Sequence, residues 1–365
     1  MAITRIGKPA IADVRGVNFR NIIINGGMDI AQRGTSTASI TGSGVFVIDR
    51  WKFDEGADAT VTMSQETLTS GDAYNNGFKK SLKVLVTTAD TSLASNQSEQ
   101  LMQHVEAQNL QYLNFGTSGA KNLTLSFWYK SNVTGIHTVC IDKSDTTRTT
   151  CPLEFTVSSA NTWEKHTLHA NANAAVQGSS GAIANDNGTG FRVMWGLAYG
   201  SDYTSGTSGT WVQNGSGGFS TSNQQNIVAA VDNYVELTGV QLEAGQAASD
   251  FEFLPFDVNL ERCQRYYQKL SNGSGPAASS SDSRLFMPFI NDMRSSPSLE
   301  QDGVVHISDG YTADFVQSST GTSILASNTQ TIFIQLSNIT GLTTGRIYFY
   351  NRLITTNSIF ASAEL

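Results

Sequence analysis

The sequence predicts an all-β fold: a jelly-roll β-sandwich, followed by a linking helix and a smaller C-terminal β domain. Three observations lead there. Short runs rich in β-branched and aromatic residues recur along the chain, nearly all bounded by Gly, Asn, Ser or Asp. Residues 257–270 are the one stretch with clear helical spacing of apolar positions. The length of 365 residues exceeds a single core, and 39% hydrophobic with 15% charged residues and 33 Gly is the balance of a turn-rich β protein.

Residues 1–20 show neither alternation nor helical spacing and read as an extended arm. They hold no continuous apolar segment of the kind a secretory signal carries. The longest apolar runs, such as Ile22–Ile24 and Val45–Ile48, fall far short of the ~20 residues that cross a bilayer, so no membrane insertion is expected. Asn25-Gly26-Gly27 signals a turn, and Val45–Phe53 reads as one largely buried β run. Further strands are expected at Ala59–Met63, Ser81–Thr87, Leu123–Lys130, His137–Asp142, Leu153–Val157, Trp163–Ala170, Phe191–Leu197 and Tyr234–Leu242. These complete a sandwich over residues 21–256. Alternation is clearest where Leu123, Leu125, Phe127 and Tyr129 share one face. Ser98–Val105 fits either a strand or a short helix.

Over 257–270, Leu260, Cys263, Tyr267 and Leu270 recur at steps of three or four, with Asp257 or Asn259 available as a cap. The small-residue stretch after them reads as a linker, so 257–282 is assigned to helix plus linker. Residues 283–365 form the second β domain, with strands at Arg284–Phe289, Val304–Ser308, Thr331–Leu336 and Gly345–Leu353. A hairpin centred on Ser144–Thr147 would set Cys140 opposite Cys151 and allow a cross-strand disulfide; two reduced, half-buried thiols are the alternative.

A formal charge of −8 argues against nucleic-acid binding, which needs clustered Lys and Arg. No spacing of the three Cys suggests zinc, and none of His104, His137, His166, His169 or His306 sits in a catalytic motif. His166 and His169 fall on opposite faces of their strand. Asp54 with Glu55, and Glu252 with Asp257, are nominal carboxylate pairs for glycoside cleavage, yet acids beside Gly and Asn ordinarily serve turns, so no enzyme is expected. The stretch with most promise runs from Tyr199 through Tyr203, Trp211 and Phe219, where aromatics punctuate a Gly/Ser/Thr-rich segment at 200–222. Exposed rings there would stack on sugar faces, Trp211 foremost. The competing reading makes Trp195 core, with Trp211 and Phe219 anchoring a loop or a subunit contact.

Several motifs carry a resemblance. MAITRIGKPAIAD resembles the N-terminal anchoring peptides of marine phage appendage proteins, and NIIINGGMDIAQRGTS followed by DRW resembles the start of a jelly-roll module in phage tail-fibre and other virion proteins. GVQLEAGQAASDFEFLPFDVNLERCQRYYQK is similar to the closing strand and helix of that family, and LFMPFINDMRSSPSLE to the β domain that often follows. The resemblance implies a carbohydrate-binding-module-like jelly roll and a virion-surface protein made in the host cytoplasm. It implies a homotrimer, with Leu260, Cys263, Tyr267 and Leu270 preferred at the contact and packing on the preceding sandwich as their alternative role, and an arm anchored on another virion protein through Ile3, Arg5, Ile6 and Pro9. A structural Ca²⁺ follows by analogy only, near Asn25, Asp29 and Asp250; no other cofactor is implied. The expected role is a tail-fibre-like appendage that meets host surface polysaccharide, the alternatives being a capsid decoration or head-fibre protein and a glycan depolymerase.

Overall fold

The computed structural model describes residues 19–213, 217–310, 314–351 and 358–365. The chain divides into two compact units, residues 1–254 and 255–365.

The first unit is an antiparallel jelly-roll sandwich of two six-stranded sheets. One sheet runs in the order β1 (Ser36–Ile40), β4 (Thr60–Thr67), β5 (Lys80–Thr88), β12 (Tyr234–Ala244), β7 (Leu123–Ser131), β10 (Glu164–Ala170). The other runs β2 (Val45–Phe46), β3 (Lys52–Glu55), β6 (Ser98–Glu106), β11 (Thr189–Tyr199), β8 (Gly135–Lys143), β9 (Thr149–Val157). Alternation places Leu82, Val84 and Val86 of β5 and Leu125 and Phe127 of β7 against Leu101 of β6 and Val193 and Trp195 of β11, all in one core. Trp195 meets Trp51 at 5.6 Å and Phe127 at 5.5 Å, so aromatic packing bridges the two sheets.

Local chemistry explains where strands stop. Val45–Phe53 is two strands rather than one, because Arg50 turns the chain at φ 74 between β2 and β3. Residues 21–30 form no strand and are latched by side chains. Asn21 donates to Val240 O at 2.9 Å and accepts from Ile23 N and Leu242 N, while Asn25, at φ 57, donates to Ile30 O and Asp49 O. Ser98–Val105, open from sequence, is the strand β6.

β8 and β9 pair one residue away from the expected register: Cys140 faces Pro152 and Cys151 faces Ile141. Such a slip puts the two thiols on opposite faces, Cys151 in the sandwich core and Cys140 against the outer cluster, and both are free. The expected disulfide geometry is therefore absent.

In the second unit the helix spans Phe256–Gln264, shorter than expected, and Tyr267–Leu270 is the strand β13. Tertiary pairing overrides helical spacing here: β13 runs antiparallel to β22 (Ser358–Ser362), and Tyr267 stacks on Phe360 at 5.3 Å. With β16 (Ser298–Asp302) they make a three-stranded sheet. The expected linker is also a strand, β14 (Asn272–Pro276). Its glycines allow an approach no side chain would, since a Cβ at Gly275 would lie 1.9 Å from Arg284 O. β14 is central to a seven-stranded sheet ordered β18 (Asp314–Val316), β17 (His306–Ser308), β21 (Ile347–Asn351), β14, β15 (Ser283–Pro288), β20 (Thr331–Leu336), β19 (Thr322–Ser327).

Candidate functional site

The aromatics singled out in the first unit are packed, not presented. Trp211 is 1% exposed and meets Phe115 edge-on at 5.6 Å. Phe219, at 6% exposure, stacks on half-buried Tyr203 at 5.7 Å, and Tyr199, at 9%, donates its hydroxyl to Gln100. The cause lies beneath them. The outward face of the second sheet carries Met102, Cys140, Met194 and Tyr199, groups that need cover, and the segment after β11 supplies it with Tyr203 and Phe219. The backbone bridge Thr150–Val212 and the Thr138–Ser220 hydroxyl contact at 2.9 Å hold the segment to the sheet, and the bridge Ser205–Thr221 closes it on itself. Beside it Asp142, fully buried, takes both Arg192 and Arg148; burial raises its carboxyl and the two guanidiniums oppose that rise.

The other sequence-predicted groups do not assemble either. Asp54 and Glu55 are consecutive in β3 and point to opposite faces, Asp54 pairing with Lys52 at 3.1 Å. Glu252 accepts from Asn21 N at 2.9 Å in the first unit, whereas Asp257 belongs to the second. Asn25 spends its amide on backbone, and Asp29 and Asp250 are exposed. Among the described residues no three His, Cys, Asp or Glu converge to hold a metal ion. His166 packs on Phe127 and Phe155, and His169 contacts Thr124 Oγ1 across β10 and β7. Cys263, Tyr267 and Leu270 are buried inside the second unit and Leu260 is half-buried, so the first three present no surface to another chain. Ile3, Arg5, Ile6 and Pro9 lie outside the described residues.

The open aromatic site is on the seven-stranded sheet of the second unit. Ser274 of β14 is the register partner of Phe286 on β15 and of Phe349 on β21, and Ser308 of β17 pairs Phe349 in turn. The four therefore form one row across four strands, all facing outward. Inward neighbours Leu285, Met287, Tyr348 and Tyr350 fill the core, which leaves Phe286 52% and Phe349 45% exposed. Two inter-strand spacings separate the strands bearing the rings, roughly 9–10 Å, and the small Ser274 lies on the floor between them. The result is a groove of about 610 Å³, lined also by Asn272, Pro288 and Gly310. Two apolar walls with amide and hydroxyl groups between them suit a ligand that has flat apolar faces and a hydroxylated rim. Among the described residues no Asp, Glu, Lys, Arg or His lines it.

Sequence reasoning placed Phe286 and Phe349 in strands without giving them a site role. Leu285-Phe286-Met287 and Tyr348-Phe349-Tyr350 are apolar at every position, so alternation cannot say which ring faces out.

By its sheets, the chain belongs to the class of all-β proteins built on a jelly-roll sandwich. No family model and no curated protein matches it. Among solved structures it is similar to the enzymatically active domain of tailspike protein 4 from bacteriophage CBA120, at 13% identity and TM-score 0.31 over 57% of this chain and 21% of that one. The chain thus spans about a fifth of the tailspike's length. A carbohydrate-binding module, CBM4, aligns at 12% identity and TM-score 0.29 over 60% of this chain and 98% of its own. A family 11 carbohydrate-binding module of a Clostridium thermocellum cellulosomal cellulase aligns at 12% and 0.28, over 60% and 99%.

Proposed function

We propose that this chain is a non-catalytic structural protein of a phage particle, a tail-fibre-like appendage that binds surface saccharide in the groove between Phe286 and Phe349. The observation that carries the binding role is the pair of exposed rings flanking Ser274 on a sheet whose inner face is otherwise sealed. Its ligand would be held by ring stacking and by hydrogen bonds to Asn272, Ser274 and Ser308, and among the described residues no acidic or basic side chain lines the groove, which favours an uncharged saccharide. The phage assignment is supported by the sequence likeness of the segments at 1–51 and 236–300, and with it come docking through the arm at residues 1–20 and trimeric assembly.

The test is binding of the full chain to purified host-surface polysaccharides. Phe286→Ala and Phe349→Ala should each weaken binding about tenfold, equivalent to ~1.4 kcal/mol, with unfolding midpoints little changed because both rings are exposed. Unaltered binding by the double variant would remove the groove from the function. Release of reducing ends from the same polysaccharides would replace binding by hydrolysis. Antibody labelling of intact particles separates a tail position from a capsid one.

A further inference from the structure

We propose that buried Glu99 and half-buried Glu55 form a carboxyl pair that shares one proton at neutral pH, and that losing this proton loosens the end of the sandwich where β5 connects to β6. The argument starts from register. Phe53 and Leu101 are cross-strand partners on β3 and β6, both in the core, and two residues along each strand Glu55 partners Glu99. Period two puts the glutamates on the same inward face as those core residues. Partner Cα atoms lie about 4.5–5.5 Å apart, close enough for two carboxyls to meet.

Glu99 is fully buried, and neither of its carboxyl oxygens has a hydrogen-bond partner; Oε2 of Glu55 is likewise buried without one. The charged groups acting on the pair are acidic: Asp58, from the β3–β4 turn, on Glu55, and Asp90, from the β5–β6 connection, on Glu99. From β11, the strand on the other side of Glu99, the partner is Ala198. Two ionised carboxylates facing each other, with Glu99 fully buried and no cation among the charged groups acting on them, would be unfavourable, whereas one shared proton turns the repulsion into a hydrogen bond. In keeping with that arrangement, burial first and neighbouring acids second push Glu99 up to about 8 and Glu55 up to about 7.

Ionisation would be felt beyond the pair. Glu99 follows directly on the connection at 89–97, which Asp90 braces by accepting from Asp58 N at 3.2 Å and Ser92 N at 2.9 Å. That connection in turn anchors the start of the covering segment: Gly200 N donates to Gln97 O at 2.8 Å and Asp202 N to Ser95 O at 2.9 Å. A proton lost at Glu99 therefore weakens the hold on the segment that seals the outer face of the second sheet.

The experiment is hydrogen exchange of the full chain at pH 6 and pH 9, corrected for the intrinsic rate, alongside thermal unfolding. In the wild type, protection over 89–98 and 200–206 should fall about tenfold or more from pH 6 to pH 9, and the midpoint should drop by roughly 5 °C. Glu99→Gln, an uncharged isostere, should remove most of both changes, and Glu55→Gln provides the same comparison should the first variant fold poorly. Equal pH dependence in the wild type and both variants would overturn the proposal.

Discussion

Replacing Trp211 by alanine separates a packing role from a binding role. The indole is buried against Phe115 at 5.6 Å and Phe191 at 6.3 Å, and its own carbonyl is held by Asn173 Nδ2 at 3.0 Å. Removing a buried Trp side chain costs about 3–5 kcal/mol through lost transfer energy and an unfilled cavity. For a unit of this size that corresponds to a fall of roughly 6–20 °C in the unfolding midpoint. Calorimetry with near-ultraviolet circular dichroism would follow it, and saccharide binding measured well below the transition should be nearly unchanged. Phe286→Ala gives the reverse pattern, binding weakened about tenfold and midpoint retained. A Trp211→Ala chain that melts within 2 °C or so of wild type but no longer binds saccharide would refute this reasoning and make Trp211 a ligand contact.

Other consequences are as direct. Cys140 and Cys151 should resist alkylation in the native chain, since burial holds both thiols protonated, Cys151 up to about 12, and both should label after denaturation; a peptide cross-linked through the two would contradict the register. Gly26→Ala should destabilise by about 1–3 kcal/mol in urea unfolding, because its Cβ would lie 2.1 Å from Val240 O beside the Val240 N to Gly26 O bond, and an unchanged midpoint would deny that contact. His137, buried between Tyr129 Oη and Val133 O, is pushed down to about 4, chiefly by burial. Its folded value lies below its unfolded one, so its contribution to stability is complete above about 6.5 and is lost as pH falls from there towards 4. Imidazole resonances that titrate near 6.5 in the native chain would show the ring to be open to water. Glu99 has the opposite sign, with stability present below about 4.5 and declining as pH rises towards about 8.

Residue patterns gave the all-β class and most sandwich strands wherever a polar residue marked the outer face. Leu123 to Tyr129 is one such case: Thr124 and Ser126 separate the core positions, and the strand runs as expected. The pattern failed where long-range pairing decided. Tyr267 and Leu270 continue a helical spacing, yet they pair with Ser362 and Ile359, nearly a hundred residues on, and nothing local reports that partner. Register was equally hidden, since one residue at the β8–β9 turn changed Cys140 and Cys151 from facing partners to opposite faces.

The same physics explains why the aromatics expected at a glycan site are buried or half-buried. Aromatics in a Gly/Ser-rich segment look exposed when the segment is assumed to lie over polar surface. Here it lies over Met102, Cys140 and Met194, and the strands that carry them alternate weakly because both of their faces are covered. Phe286 and Phe349 lie in runs that read as wholly buried strands, and the floor between them came from a Gly/Ser stretch that read as a linker. An aromatic binding face on a sheet needs small residues on the strand between its rings. Asn272-Gly273-Ser274-Gly275 meets that need because two glycines let β14 pack tightly from behind while Ser274 keeps the front low. A bulky residue in place of Ser274 tests this with the fold kept: Ser274→Leu should fill the groove and abolish saccharide binding while leaving the midpoint nearly unchanged, and retained binding would place the ligand elsewhere on the chain.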